Sequence, residues 1–197
     1  MASISRFFGF GGPQTRLDGE RIFLRPPERR DWVAWAAVRA ESRHFLEPWE
    51  PLWPSDSLSR DAFRRRWTRH TEDWQLDLAY TFFMFRKSDQ ALLGGIGLSN
   101  IRRGVAETGS IGYWIGVRHA RQGYMSEALK LTIDFSFDRL HLHRLEAACL
   151  PHNKPSRGLL LKTGFYEEGR AREYLRIDGR WQDHILFGLL RDDWKEE

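Results

Sequence analysis

Apolar and polar positions along the chain change period several times, and each change marks an element. Residues 20–25, Glu-Arg-Ile-Phe-Leu-Arg, alternate as an opening strand does, and Pro26 and Pro27 stop it. Asp31 stands where it would cap a helix carrying Trp32, Trp35, Ala36 and Arg39. The stretch 45–54 that follows has too many prolines for regular structure and reads as a loop. A second helix is predicted over 58–74, with Ser59 or Asp61 near its start and Arg64, Arg65 and Arg66 on its exposed side. Residues 79–86 and 91–100 then read as two strands joined through Lys87, Ser88, Asp89 and Gln90, a hairpin in the middle of the fold.

The stretch that organises the chain comes next. Residues 110–117 form an apolar run with the character of a buried strand, and from Gly123 onward Met125, Leu129, Ile133, Phe137 and Leu140 recur at helical spacing. Between them lies a short basic turn. Such a turn aims backbone N–H groups, at the positive end of a helix dipole, into one small volume, and Gly123 leaves room for a ligand to approach closely, so the turn reads as a phosphate seat. A further strand is expected over 143–150, a short helix over 156–162 ended by Gly164, and a last pair of strands, 165–176 and 182–190, around Asp178 and Gly179. Strands before and after helices in this order make a mixed sheet with helices packed on its faces. There is no internal repeat, linker or low-complexity block.

Composition narrows the class. A chain of 197 residues with 41% hydrophobic and 14% aromatic content fits one domain with a full-sized core, placed here at 17–194 behind a tail at 1–16. No apolar run approaches the roughly 20 residues that span a bilayer, and the apolar part of the tail, Phe7 to Phe10, is too brief for a signal peptide. A cytoplasmic protein without membrane association is therefore expected. The single cysteine, Cys149, lies among Ala147, Ala148 and Leu150 and reads as a buried structural thiol. A net charge of +4 fits polyanionic company, a cofactor's phosphates or ribosomal RNA, or merely a basic proteome, while DNA is not indicated. The arginine run 64–66 is a solvated helix face or a contact with RNA or an acidic partner. His141 and His143 share a spacing that mimics a metal pair but have no carboxylate or cysteine at ligand distance along the chain, so no metal is expected.

The turn resembles the pyrophosphate loop of the GNAT superfamily of acetyl-CoA-dependent N-acetyltransferases, whose pattern falls on Ala120, Arg121, Gln122, Gly123, Tyr124 and Met125. The central glycine is kept, and Ala120 and Met125 depart from the pattern. The segments 43–51, 151–154 and 177–184 resemble more closely the RimJ-type ribosomal-protein-alanine N-acetyltransferases, with elements in the same order over 17–194. The resemblance implies a single α/β domain whose mixed, mostly antiparallel sheet has about seven strands with helices on both faces. Acetyl-CoA would be the co-substrate. The acceptor would be a protein N-terminus, that of an alanine-starting small-subunit ribosomal protein.

It also implies roles. Ile115 and Val117, in the strand's last stretch, would pair with the pantetheine arm through their backbone, and Arg118, Arg121 and the amides of Gln122, Gly123, Tyr124, Met125 and Ser126 would hold the pyrophosphate. Asn153 and Ser156 match the family's Asn-x-x-Ser signature; because Leu160 occupies the position of the usual tyrosine acid, Ser156 inherits that role, against helix capping as the plain alternative. For the base, Glu107, Glu50 and His184 compete with a water relay that needs no strong base. Trp49, Glu50, Trp181 and His184 are the candidates for the acceptor groove. Two alternatives stay open: the same enzyme acting on a polyamine or aminoglycoside, and a non-catalytic acyl-CoA-binding or ribosome-binding module.

Overall fold

The computed structural model describes residues 14–194; of the expected tail at 1–16, the first 13 residues lie outside the described ones. Eight strands form one sheet in the order β1-β2-β3-β4-β5-β6-β8-β7. They are β1 Leu17–Asp18, β2 Ile22–Arg25, β3 Tyr80–Arg86, β4 Leu92–Arg102, β5 Thr108–Ile115, β6 Arg144–Cys149, β7 Tyr166–Ile177 and β8 Arg180–Leu190. The strand beyond the expected seven is β1, too short to show a period in the sequence. Neighbours run antiparallel except β5 and β6, which the chain joins through a helical crossover, as parallel strands require.

Helices cover both faces. They are α1 Trp32–Glu41, α2 Arg43–Leu46, α3 Arg60–Gln75, α4 Tyr124–Asp134, α5 Lys154–Lys162 and α6 Arg191–Trp194. Because strand side chains alternate between faces, β3 feeds two cores at once: Tyr80, Phe82 and Met84 join the larger cluster with Leu129, Ile133 and Phe187, while Phe83 and Phe85 join a smaller, aromatic one with Phe23, Trp35 and Phe63. That is why β3 reads as an unbroken apolar run instead of an alternating one. In α4 the expected stripe is seated as predicted, with Met125, Leu129, Ile133 and Phe137 buried; Phe137 and Leu140 lie on the π-helical turn Phe135–Arg139 and just past it.

Two local expectations are corrected. The stretch 45–54 is partly helical: α2 ends at Leu46 and a 3-10 turn, Glu47–Trp49, follows, with Pro48 in its first turn where the missing N–H costs nothing. Asp31 does not cap α1. Its carboxylate is buried and accepts two bonds of 2.7 Å from Arg25 and one from the Glu28 N–H, a charge-assisted fork that outcompetes a capping bond. Ser59 does cap α3, accepting from the Ala62 N–H at 3.1 Å.

Replacing Leu129, 0% exposed, by alanine is expected to destabilise the fold by about 2–5 kcal/mol, the range for buried leucine truncations. Val33→Ala, at a position 66% exposed on α1, is expected to stay within about 0.5 kcal/mol. Urea midpoints at constant slope read both; a small Leu129 effect would mean that α4 is not anchored where described.

Candidate active site

The site begins where a ladder stops. β5 and β6 are paired only at Thr108 with Arg144, Gly109 with Leu145 and Ser110 with Glu146. Beyond that, β5 stays bound to β4 as far as Ile115 and β6 stays bound to β8 as far as Cys149, so each is held on its outer side while the inner ladder is open. A wedge results, and among the described residues the β5 edge along it has no strand partner. The closed end is fastened by the Glu107 carbonyl, which accepts from the His143 and Arg144 N–H groups.

At the end of β5 the chain turns into α4. The Val117 N–H donates to the buried Ser42 hydroxyl at 2.9 Å, which ties the turn to the end of α1. Arg121 and Gly123 take positive φ, +61° and +83°, and α4 starts at Tyr124. Among the described residues, no protein acceptor meets the backbone N–H groups of residues 121–126. Those of the first helical turn point along the axis out of the helix end. Arg21 packs against this turn: it donates to the Gln122 carbonyl at 3.0 Å, pairs with Glu127 at 3.2 Å, and lies 4.8 Å from the centre of the Tyr124 ring. A Cβ on Gly123 would come within 3.1 Å of that guanidinium. Arg118 is largely exposed and paired with Glu41. Arg21 and Ser42 carry no sequence signal, since their partners lie 101 and 75 positions away.

Across the wedge stands the start of α5. Asn153 is the N-cap: its side-chain oxygen accepts from the Ser156 N–H at 3.1 Å. Ser156 is therefore capped and does not cap, and its hydroxyl is 2.8 Å from that of Tyr113 on β5. Burial pushes the Tyr113 phenol up to about 12, against a smaller opposite pull from Ser156, so it stays protonated. Burial also raises the Cys149 thiol, consistent with a structural cysteine. Leu160 is fully buried in the larger core. Tyr113 is the residue that sequence reasoning missed here. Its place on the strand between Ile111 and Ile115 is legible, but its meeting with a residue 43 positions later is not.

Glu107 is not brought to this point. It sits at the β4–β5 turn, its carboxylate taken by Arg103 and the Gly104 N–H, and at about 3.3 Å per strand residue it lies roughly 20 Å from Tyr113. Its geometry is that of a turn residue, which corrects its candidacy as base.

The opposite face of the sheet carries a cavity of about 770 Å³ between α3 and the β3–β5 surface, lined by Arg39, Glu50, Arg66, His70, Gly112 and Trp114 among others. Glycines 95, 97 and 112 alternate with residues that point into the larger core, so the β4 part of the floor is low, and the Trp114 indole lies across Gly95. Glu50 accepts from Arg39 and, at 2.8 Å, from the Trp53 indole, and its carbonyl accepts from the Asp178 N–H at 2.9 Å. Trp49 lies 5.4 Å from the His152 ring. The loop bearing Trp49 and Glu50 is thus pinned both to the β6–α5 connection and to the β7–β8 turn. Trp181 is 62% exposed near the start of β8. His184 is 3% exposed, packed edge-on against Tyr174 with a ring nitrogen on the Gln182 carbonyl, and does not line the cavity. Of the four groove candidates only Glu50 faces that space.

A wedge in a mixed sheet with free amides at its mouth can hold an extended, phosphate-bearing ligand by backbone contacts, and a hydroxyl pair beside it can move a proton. Comparison with known proteins agrees. Residues 21–166 match the acetyltransferase (GNAT) domain. The chain is 36% identical to the [ribosomal protein uS5]-alanine N-acetyltransferase of Escherichia coli (strain K12), covering 92% of this chain and 94% of that one. It is also 36% identical to a probable N-acetyltransferase, YjcK, of Bacillus subtilis (strain 168), over 90% of this chain and 98% of that one. The ribosomal-protein-S5-alanine acetyltransferase structure from Vibrio fischeri superposes with a TM-score of 0.85 at 32% identity, covering 92% and 99% of the two chains. The Mycobacterium smegmatis RimJ structure, in complex with CoA-disulfide, gives 0.86 at 29% identity, covering 91% and 88%. The chain belongs to the GNAT acetyltransferase family and is an N-acetyltransferase.

Proposed function

We propose that the protein moves the acetyl group of acetyl-CoA to the α-amino group of a protein N-terminus, and that its acceptor is an alanine-starting ribosomal protein. The observation that carries this is the continuity of the open β5 edge with the unpartnered amides of residues 121–126 at one end and the Tyr113–Ser156 hydroxyl pair beside it. The choice of acceptor is supported by relatives that match nearly the whole chain and are named for ribosomal-protein alanine.

Acetyl-CoA supplies an activated acyl thioester; the chain's own residues hold and protonate. The amides of 121–126, with Arg118 and Arg121, are suited to the pyrophosphate, and the open edge at Ile115 to a pantetheine amide, the Val117 N–H being already bonded to the Ser42 hydroxyl. Ser156 is the donor to a departing thiolate, and the Tyr113 phenol, held protonated, is placed to resupply it. A peptide amine, whose ordinary pKa is ~8, is partly neutral near pH 7 and can lose its proton through water, so no dedicated carboxylate is required. Glu50, fixed by Arg39 and Trp53, orients the acceptor.

Incubation of the purified protein with acetyl-CoA and ribosomal proteins should add one acetyl group to an alanine N-terminus, seen by intact mass and located by fragmentation. Acetylation of polyamines alone would overturn the acceptor assignment. Gly123→Asp should abolish acetyl-CoA binding in calorimetry, because it sets a side chain and a negative charge where backbone meets phosphate; unchanged affinity in a folded variant would move the phosphate seat elsewhere. Ser156→Ala should lower kcat by roughly 10²-fold with cofactor affinity retained. Asn153→Ala should instead cost about 1 kcal/mol of stability, seen as a lower Tm, since it removes the cap. Near-normal turnover by Ser156→Ala would strike it from the catalytic residues.

A further inference from the structure

The arginine run on α3 is divided by the fold. Arg64 and Arg65 face solvent and pair with Asp61 and Asp56. Arg66 instead turns inward, and with Arg69, His70 and Asp73 it lines the cavity at helical spacing. Neither Arg66 nor Arg69 has a carboxylate within ion-pair distance among the described residues. Arg66 remains accessible through the cavity, yet the protein around its guanidinium desolvates it and lowers its pKa, and the nearby Arg39 charge adds to this. The guanidinium lies 5.8 Å from the Trp35 ring centre, which leaves its N–H fork for another partner.

The remaining charges do not supply that partner. Glu50 is taken by Arg39 and Trp53. Asp73 lies two turns along α3 from Arg66, beyond His70. His70 is driven down to about 4, mainly by burial, and is therefore neutral near pH 7, its Nδ1 3.1 Å from the Thr81 hydroxyl. An arginine that faces a cavity with no carboxylate in ion-pair distance keeps its N–H fork free for an anionic ligand. Gly112 leaves open space beside the Trp114 indole, where an extended backbone can approach the sheet. A carboxylate matches an arginine fork in shape and charge.

We infer that Arg66, assisted by Arg69, forms a carboxylate-binding subsite in the acceptor cavity and selects protein N-termini that carry an aspartate or glutamate within the first few residues after the acetylated amine. This rests on the proposed function, in that the cavity is taken as the acceptor's. The other face of α3, with Arg64 and Arg65 already paired, has no part in it.

The test uses alanine-starting peptides that differ only in glutamate or glutamine at position 2, 3 or 4. It measures kcat/KM with acetyl-CoA and, separately, affinity by calorimetry in the presence of CoA. At one position the glutamate peptide should be favoured about 10-fold or more, the scale of one charge-assisted hydrogen bond. In Arg66→Ala that ratio should collapse to near one, and in Arg66→Glu the glutamine peptide should become the better substrate. Equal use and equal binding of glutamate and glutamine peptides by the wild type would overturn the subsite, as would a ratio untouched by Arg66→Ala. The two readouts separate this inference from the function it rests on. Arg66-dependent binding of the glutamate peptide without any turnover would sink the acceptor assignment and leave the subsite standing; turnover with no charge preference would do the reverse.

Discussion

The structure depends on an unfinished ladder. Two parallel strands in the middle of a sheet would normally exchange hydrogen bonds along their whole length, yet β5 and β6 stop at Ser110 and Glu146. Each is committed elsewhere: β4 grips β5 out to Ile115, and β8 grips β6 out to Cys149. With both outer ladders complete, the strands splay without losing their place in the sheet. The backbone groups left along the opening are an unmet demand inside the fold, and unmet backbone demand draws an extended ligand as an additional strand does.

The same logic runs around the corner into α4. Every helix leaves its first N–H groups without intrahelical partners, and capping side chains or water usually take them. At α5 and α3 the protein does this itself, with Asn153 and Ser59. At α4 it does not. The residue before the helix is Gly123 in a left-handed conformation with no side chain to offer, and Arg21 packs behind the turn instead of across it. α1 and α2 also lack a side-chain cap, so what sets α4 apart is the left-handed glycine before it.

The two faces of the sheet then divide the work. Tyr113 and Ser156 meet on the side of the larger core, where burial keeps the phenol protonated. The cavity lies on the other side, under α3. The loop carrying Trp49 and Glu50 is fastened to both the β6–α5 connection and the β7–β8 turn, so the receiving side is held in register with the wedge by contacts outside either core.

Much of this was legible in the residues. Period-two and helical patterns located the long strands and helices within a few residues, because burial of one face imposes the pattern directly. Gly123 before an apolar helix marked the turn where α4 starts, a local device that local sequence can carry. The likeness of segments 43–51, 151–154 and 177–184 to a known family gave the fold and chemistry. Errors arose where one local rule met a stronger local partner, as when Asp31 turned to Arg25, six residues away, instead of capping α1. What only the tertiary structure decided is which residues meet. Ser156 became a hydroxyl opposite Tyr113 because Asn153 took the cap; Glu107 was left at the closed end of the wedge; His184 went into the hairpin's interior; and one arginine of three was turned into the cavity. A strand's period determines the face a residue occupies, but its distance from a residue dozens of positions away depends on how strands pair and where they stop pairing. The single chain pattern holds no record of that, because the open ladder is defined by bonds that are not made.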